Sequence, residues 1–282
     1  MKFKILWLAD FTVKEVPAGG AEITDSYVIQ AGRALGYDIT VVRPDVYKRE
    51  MLEDTELVIL SNNFDFSDSM KGPIIMGQKY VAYSHDVGRW GDVLRRHPLL
   101  FEKAQANIFL SPGHRDKFLP YLKKANQVIC VPPHIPLGFY DKGLNRKHRV
   151  MYAGTLYDGK GLGNIIKMAK KNPDLMFDFY YKCSQQHIVS QLKELSNCNL
   201  VGFVPKECLS EKYNLYEYFI HLPQMYECFG RAITEAYLCG CKIIVNDNIG
   251  AFSYPWSYTE FRKRTLGAHF FFWEELKRLH LV

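Results

Sequence analysis

The chain has 282 residues, 48% of them hydrophobic and 23% charged, which suits one large or two small domains and excludes a disordered chain. Its formal net charge of +6 fits an anionic partner, whether a nucleoside diphosphate, a phosphorylated or lipid-linked acceptor, a membrane face or a polynucleotide; it fits a plain solvated basic surface equally well. The seven cysteines (Cys130, Cys183, Cys198, Cys208, Cys228, Cys239 and Cys241) show neither C-x-x-C pairs nor zinc-type histidine spacing, so they read as small buried hydrophobes in a reducing compartment.

At the N-terminus, Ile5-Leu6-Trp7-Leu8-Ala9 meets Asp10 at once and lacks the longer apolar region of a signal peptide. No apolar run approaches the roughly 18 residues that span a bilayer. The expectation is a cytoplasmic protein, with peripheral membrane contact left open.

Ile5–Leu8 is the first predicted strand. Ala21–Leu35 follows with helical periodicity and stops at Gly36. Further strands are predicted at Ile39–Val42, Leu57–Leu60, Tyr80–Tyr83, Asn107–Leu110 and Val128–Val131, with helical or mixed segments between most of them. Continuous apolar strands separated by helices indicate a parallel sheet covered on both faces. Pro132, Pro133 and Pro136 then interrupt the pattern, because proline lacks an amide donor and restricts the residue before it. A basic loop, Lys142–Arg149, comes next.

The alternation restarts with strands at Val150–Ala153, Leu175–Tyr180, Leu200–Phe203, Tyr218–Leu222 and Lys242–Asn246, and helices near 161–171, 185–196, 207–214 and 229–239. The expected architecture is α/β: two Rossmann-like domains, 1–137 and 138–282, whose parallel sheets face a cleft with ligands beyond the strands' carboxyl ends. The aromatic tail Phe270–Leu279 reads as a final helix packing on the protein, which includes packing back on the first domain; lying on a membrane is the less favoured alternative.

Glu227-Cys228-Phe229-Gly230-Arg231-Ala232-Ile233-Thr234-Glu235 is the most specific segment. Glu227 falls in the loop after a strand, and Glu235 is expected two turns into the following helix. Eight residues at 100° each put both carboxylates near one face. Phe229-Gly230 opens the helix, where free amide N–H groups and the positive helix end favour a diphosphate. A carboxylate also accepts paired sugar hydroxyls. Spacing alone describes an ordinary surface helix with two glutamates just as well.

A second motif, Ala153-Gly154-Thr155-Leu156-Tyr157-Asp158-Gly159-Lys160-Gly161, ends a strand in a glycine-rich turn. Lys160 there can neutralise a leaving diphosphate, or can be a solvated helix-start lysine. Gly19-Gly20, between the first strand and helix, lets backbone approach a phosphate or sugar. It is not G-x-G-x-x-G, so a nicotinamide cofactor is not indicated. His85, in Tyr83-Ser84-His85-Asp86, ends a strand as either a site or a structural histidine; His114 and His134 read as bystanders.

With its Phe-Gly after the first glutamate and Glu-Ala at the second, the 227–240 segment resembles retaining GT-B glycosyltransferases of the glycosyltransferase family 4 kind. The likeness covers Val150–Ala251 well and the first half only in short loops. It implies that Glu227 contacts the transferring sugar, that Glu235 holds the nucleotide's ribose, and that the backbone of Phe229 and Gly230 binds the diphosphate. Lys160-Gly161 matches the family's Lys-Gly, whereas Thr155 stands where the family has arginine; Arg231 is a candidate substitute.

Gly19 and Gly20 resemble the first-domain loop that borders the diphosphate and acceptor, and His85 the histidine that faces the acceptor and the reacting sugar. The loop at Val204 resembles one that holds the base through backbone atoms, and Leu222-Pro223-Gln224 stands where the family has Leu-Pro-Ser. The family implies a UDP- or GDP-linked sugar as substrate, no cofactor and no metal, and no D-x-D cluster ends a strand near these motifs. The acceptor stays open among a glycan, a lipid-linked group and a nucleic-acid base, as does the oligomeric state. A nucleotide-sugar epimerase, a non-catalytic nucleotide-sugar-binding subunit and a polynucleotide-binding protein are the alternatives.

Overall fold

The structure, a computed structural model, describes residues 2–10, 19–62, 65–87, 99–182 and 184–282. In chain order its first elements are β1 (Lys4–Ala9), α1 (Gly20–Ala34), β2 (Asp38–Val42), β3 (Leu57–Ser61), α2 (Asp68–Gly77), β4 (Tyr80–Tyr83), α3 (Leu99–Glu102), β5 (Ala106–Phe109), α4 (Pro112–Asp116) and β6 (Val128–Cys130). There follow β7 (Lys147–Ala153), α5 (Leu162–Lys171), β8 (Phe177–Tyr180), α6 (Gln186–Lys193), β9 (Cys198–Gly202), α7 (Lys206–Asn214), β10 (Tyr216–His221), α8 (Arg231–Leu238), β11 (Lys242–Val245) and α9 (Tyr258–Arg278).

Contacts group the chain into two compact units, Met1–His134 with Ser253–Val282, and Ile135–Phe252. The sequence boundaries 1–137 and 138–282 divide the chain by order along it, whereas grouping by contacts puts Ser253–Val282 with the first unit.

The first unit holds a six-stranded sheet in the order β2-β1-β3-β4-β5-β6, parallel throughout. Leu57, Val58, Ile59 and Leu60 are fully buried, as expected for a strand covered on both faces. α1 buries Thr24, Asp25, Val28, Ile29, Ala31 and Gly32, one stripe at helical spacing. α9 is capped at its start by Ser257, whose hydroxyl accepts from the Glu260 amide.

α9 packs against α1. Trp273, fully buried, donates its indole N–H to the Val28 carbonyl at 2.8 Å. Its ring occupies the space over Gly32, where a Cβ would stand 2.4 Å from Trp273 Cζ2. The aromatic tail therefore serves the core, with Phe272, Trp273 and Leu276 all fully buried. Among the described residues no helix is long and apolar enough to cross a membrane.

The second unit holds a five-stranded parallel sheet in the order β11-β10-β7-β8-β9. Its core gathers Val150, Leu162, Ile165, Phe177, Phe179, Leu192 and Ile220. Residues 147–149, part of the predicted basic loop, instead begin β7. Lys147 donates its amide to Leu215 O at 2.8 Å, and Arg149 pairs with Asp178 at 2.5 Å. Cys228, Cys239 and Cys241 are buried and Cys130, Cys198 and Cys208 half-buried, all as free thiols; Cys183 lies outside the described residues.

Candidate active site

In the second unit the chain lays down β7, β8 and β9 in one direction, then returns to place β10 and β11 on the other side of β7. The order reverses between β7 and β10. In open parallel sheets ligands bind at such a reversal, beyond the strands' carboxyl ends. The loop after β7 carries Gly154, Thr155 and Lys160, and the loop after β10 carries Glu227.

These two loops are held together by backbone. Gly161 has φ +75°, and a Cβ on it would stand 1.7 Å from Leu222 O. Only glycine allows both the left-handed conformation and that approach. Next to it, Gln224 donates its amide to Gly159 O at 3.2 Å. Lys160, in a single 3-10 turn (Asp158–Lys160) ahead of α5, is thereby delivered to the Glu227 carboxylate and pairs with its Oε1.

Glu227 is itself fixed. Its amide donates to Asn248 O at 2.9 Å, and its carbonyl accepts from Gly250 N–H at 2.8 Å. His221, the last residue of β10, brings Nε2 to 3.6 Å from the same carboxylate oxygen. Burial alone would raise the Glu227 carboxyl; His221 and the Lys160 charge outweigh it and bring it down to about 2. Glu227 is therefore a carboxylate across the physiological range.

Gly230 breaks the expected helical geometry. It has φ +85° and is the N-cap of α8, which begins at Arg231. Glu227 thus lies outside the helix, and Glu235 lies one turn into it, so the 100°-per-residue argument for a shared face does not apply. No side chain caps α8, so its first amides face out from the turn at Phe229-Gly230. Glu235 is 4% exposed, with Arg231 at 3.6 Å. Burial raises its carboxyl, and the charges of Arg231 and Lys206 oppose that rise. Arg231 thus faces Glu235 from one turn earlier in the same helix.

The other expected residues are placed as follows. Thr155 is exposed, and its carbonyl accepts from the Tyr152 hydroxyl at 2.8 Å. Phe229 is buried, and its carbonyl accepts from Ala251 N–H at 3.0 Å. Val204 is half-buried in the turn before α7. Gly19 and Gly20 are exposed at the N-terminus of α1, Gly19 as its N-cap.

In the first unit, His85 follows β4 with its side chain 2% exposed, and Nε2 stands 2.9 Å from Asp25 Oδ1. The other Asp25 oxygen accepts from Trp7 Nε1 at 3.1 Å and from Ser61 Oγ at 2.6 Å. The imidazole is turned inward onto that carboxylate. His114 accepts from Leu110 N–H through Nδ1, and burial, then the charge of His85, pushes it down to about 3. Among the described residues no three His, Cys, Asp or Glu side chains are grouped to hold a metal ion.

No protein-family model and no curated protein matches the sequence, but solved structures match the fold. Sucrose-phosphate synthase from Thermosynechococcus elongatus gives a TM-score of 0.70 at 14% identity, over 99% of this chain and 91% of that one. HepE from Anabaena, solved in complex with UDP and glucose, gives 0.68 at 15% identity, over 94% and 89%. A glycosyltransferase from Rickettsia africae ESF-5 gives 0.69 at 12% identity, over 99% and 90%. The chain has the GT-B fold of glycosyltransferases. At these identities the likeness is one of fold, and the site stands on its own geometry.

Three residues of that geometry were not read from the sequence as site residues: His221, Asp25 and Lys206. His221 had a signal, since a polar residue ending an apolar strand lies where ligands bind in such sheets. Asp25 had one too, an acid on the apolar stripe of α1. The effect of Lys206 on Glu235 had none, because it depends on how α7 meets α8.

Proposed function

We propose that this chain is a glycosyltransferase that moves a hexose from a UDP- or GDP-linked donor with retention of anomeric configuration. The observation that carries this reading is the pairing of Lys160 with Glu227 at the point where the second sheet reverses its order. A fixed cation and a carboxylate, supplied by two loops and held by backbone, suit a diphosphate joined to a polyol. HepE, a structural neighbour bound to UDP and glucose, supports that donor class.

In this mechanism Lys160 and the N-terminal end of α8 stabilise the charge that develops on the departing nucleoside diphosphate. That fixed positive charge is the work a metal ion would otherwise do. Glu227 accepts hydroxyls of the transferring sugar, Glu235 those of the ribose, and the backbone at Phe229-Gly230 meets the diphosphate. The turn at Val204 takes the base.

A thermal-shift panel of nucleoside diphosphates and their sugars tests the donor class. The correct nucleotide at 100 times its Kd stabilises the native state by about 2.7 kcal/mol. With the donor in hand, Glu227→Ala removes both sugar transfer and donor hydrolysis. Unchanged turnover in that variant would refute the assignment, and a flat panel would remove the donor class altogether.

A further inference from the structure

Glu227 has two basic neighbours. Lys160 Nζ holds Oε1, and His221 Nε2 waits 3.6 Å from the same atom. The His221 side chain is 8% exposed, and its Nδ1 has no hydrogen-bond partner among the described residues. The groups that face the ring are Glu227 from the loop before α8, Tyr152 from β7 at 6.2 Å between ring centroids, and Lys160, through Glu227, from the turn before α5. Burial pushes the Tyr152 phenol up, and its proton is given to Thr155 O, so it stays neutral. The anion that answers a charged imidazole here is Glu227.

Lys160 has two anions to serve. In the structure it is bound to Glu227; during transfer it serves the diphosphate, which carries more charge and draws it away. Glu227 would then be a largely buried carboxylate that has lost its cation, an unfavourable state. We propose that His221 takes over: as Lys160 turns to the diphosphate, the imidazole takes up a proton from solvent and holds Glu227 in place for the sugar hydroxyls. His221 is then a positioning residue acting through Glu227, and donor binding is coupled to proton uptake. The proposal rests on reading this site as a nucleoside-diphosphate site.

Calorimetric titration of UDP and of GDP into the whole protein, near pH 7 in two buffers of different ionisation enthalpy, counts the protons exchanged. The expected result is that the wild type takes up a fraction of a proton beyond whatever the nucleotide's own phosphate exchanges. That uptake is lost in His221→Gln, which keeps an N–H near Glu227 without the charge and still binds the nucleotide. Titration of the nucleotide's own phosphate is common to both proteins and cancels in the difference. A second measurement needs no stable variant: the ring resonances of His221 in the wild type move toward the protonated form when nucleotide is added. Equal uptake in the two proteins, or ring resonances unmoved at saturation, overturns the proposal and leaves the nucleotide site standing. No binding of either nucleotide overturns the site and the proposal together.

Discussion

Gly161→Ala perturbs the device that joins the two site loops. The added Cβ would stand 1.7 Å from Leu222 O and 2.5 Å from Leu222 C, both backbone atoms that no rotamer change can move. Holding alanine in the left-handed region costs about 1–2 kcal/mol. Forcing a methyl into a packed contact typically costs about 1–3 kcal/mol more, so the loss is about 2–5 kcal/mol in all. The open relaxation is to lift the Asp158–Lys160 turn off Leu222-Pro223. That breaks the Gln224 to Gly159 hydrogen bond and withdraws Lys160 from Glu227.

At about 2–4 °C per kcal/mol the Tm should fall by roughly 4–20 °C, and nucleotide affinity should fall with it. Gly163, two residues further on in α5, is the control: nothing lies within 4 Å of its added Cβ. Gly163→Ala should stabilise by about 0.5–1 kcal/mol, as expected for alanine in a helix. Calorimetric melts and nucleotide titrations of both variants decide the matter. A Gly161→Ala protein that melts and binds like the wild type would refute the argument.

Asp25→Asn removes the charge that faces His85 and disturbs acceptance from Trp7 and Ser61, all buried. It should cost about 3 kcal/mol, seen as a lower urea midpoint with an unchanged slope. Glu227 titrates below its ordinary value, so its stabilisation is complete above the ordinary 4.5 and is lost as pH falls toward about 2. Glu227→Gln should flatten that acid limb of the stability profile. Glu235 is displaced the other way, so its contribution is greatest below 4.5 and is lost as pH rises through the raised value. In the proposed role Glu235 meets the ribose as an ionised acceptor, so on acidification nucleotide affinity should begin to fall at a higher pH than an ordinary carboxylate would give, and Glu235→Gln should remove that pH dependence.

Most strands were legible because a strand buried on both faces must be apolar throughout: Leu57–Leu60 and Tyr80–Tyr83 show this directly. Legibility failed where a strand leaves the core. The start of β7, with Lys147 and His148 exposed, looks like a basic loop because its polar side chains answer to solvent while its backbone stays in the ladder. The glutamate pair was visible, but the helix start was not, since Gly230 takes a left-handed conformation that no periodicity reveals. Partnerships across the sheet were beyond the sequence. His221 reaches Glu227, and Asp25 reaches His85, only once strand order and register are set. Gly161 was visible as part of a glycine-rich turn, yet its reason, the Leu222 carbonyl beneath it, is tertiary.

In the proposed mechanism Lys160, paired with Glu227 where the second sheet reverses its order, is the cation of a nucleoside-diphosphate site. Isothermal titration of the nucleotide selected by the thermal-shift panel into wild type and Lys160→Met tests it directly, since methionine keeps an unbranched apolar stem and removes the charge. Binding should be weaker by about tenfold or more, equivalent to about 1.4 kcal/mol, in a variant that melts normally. An unchanged Kd in such a variant would contradict it.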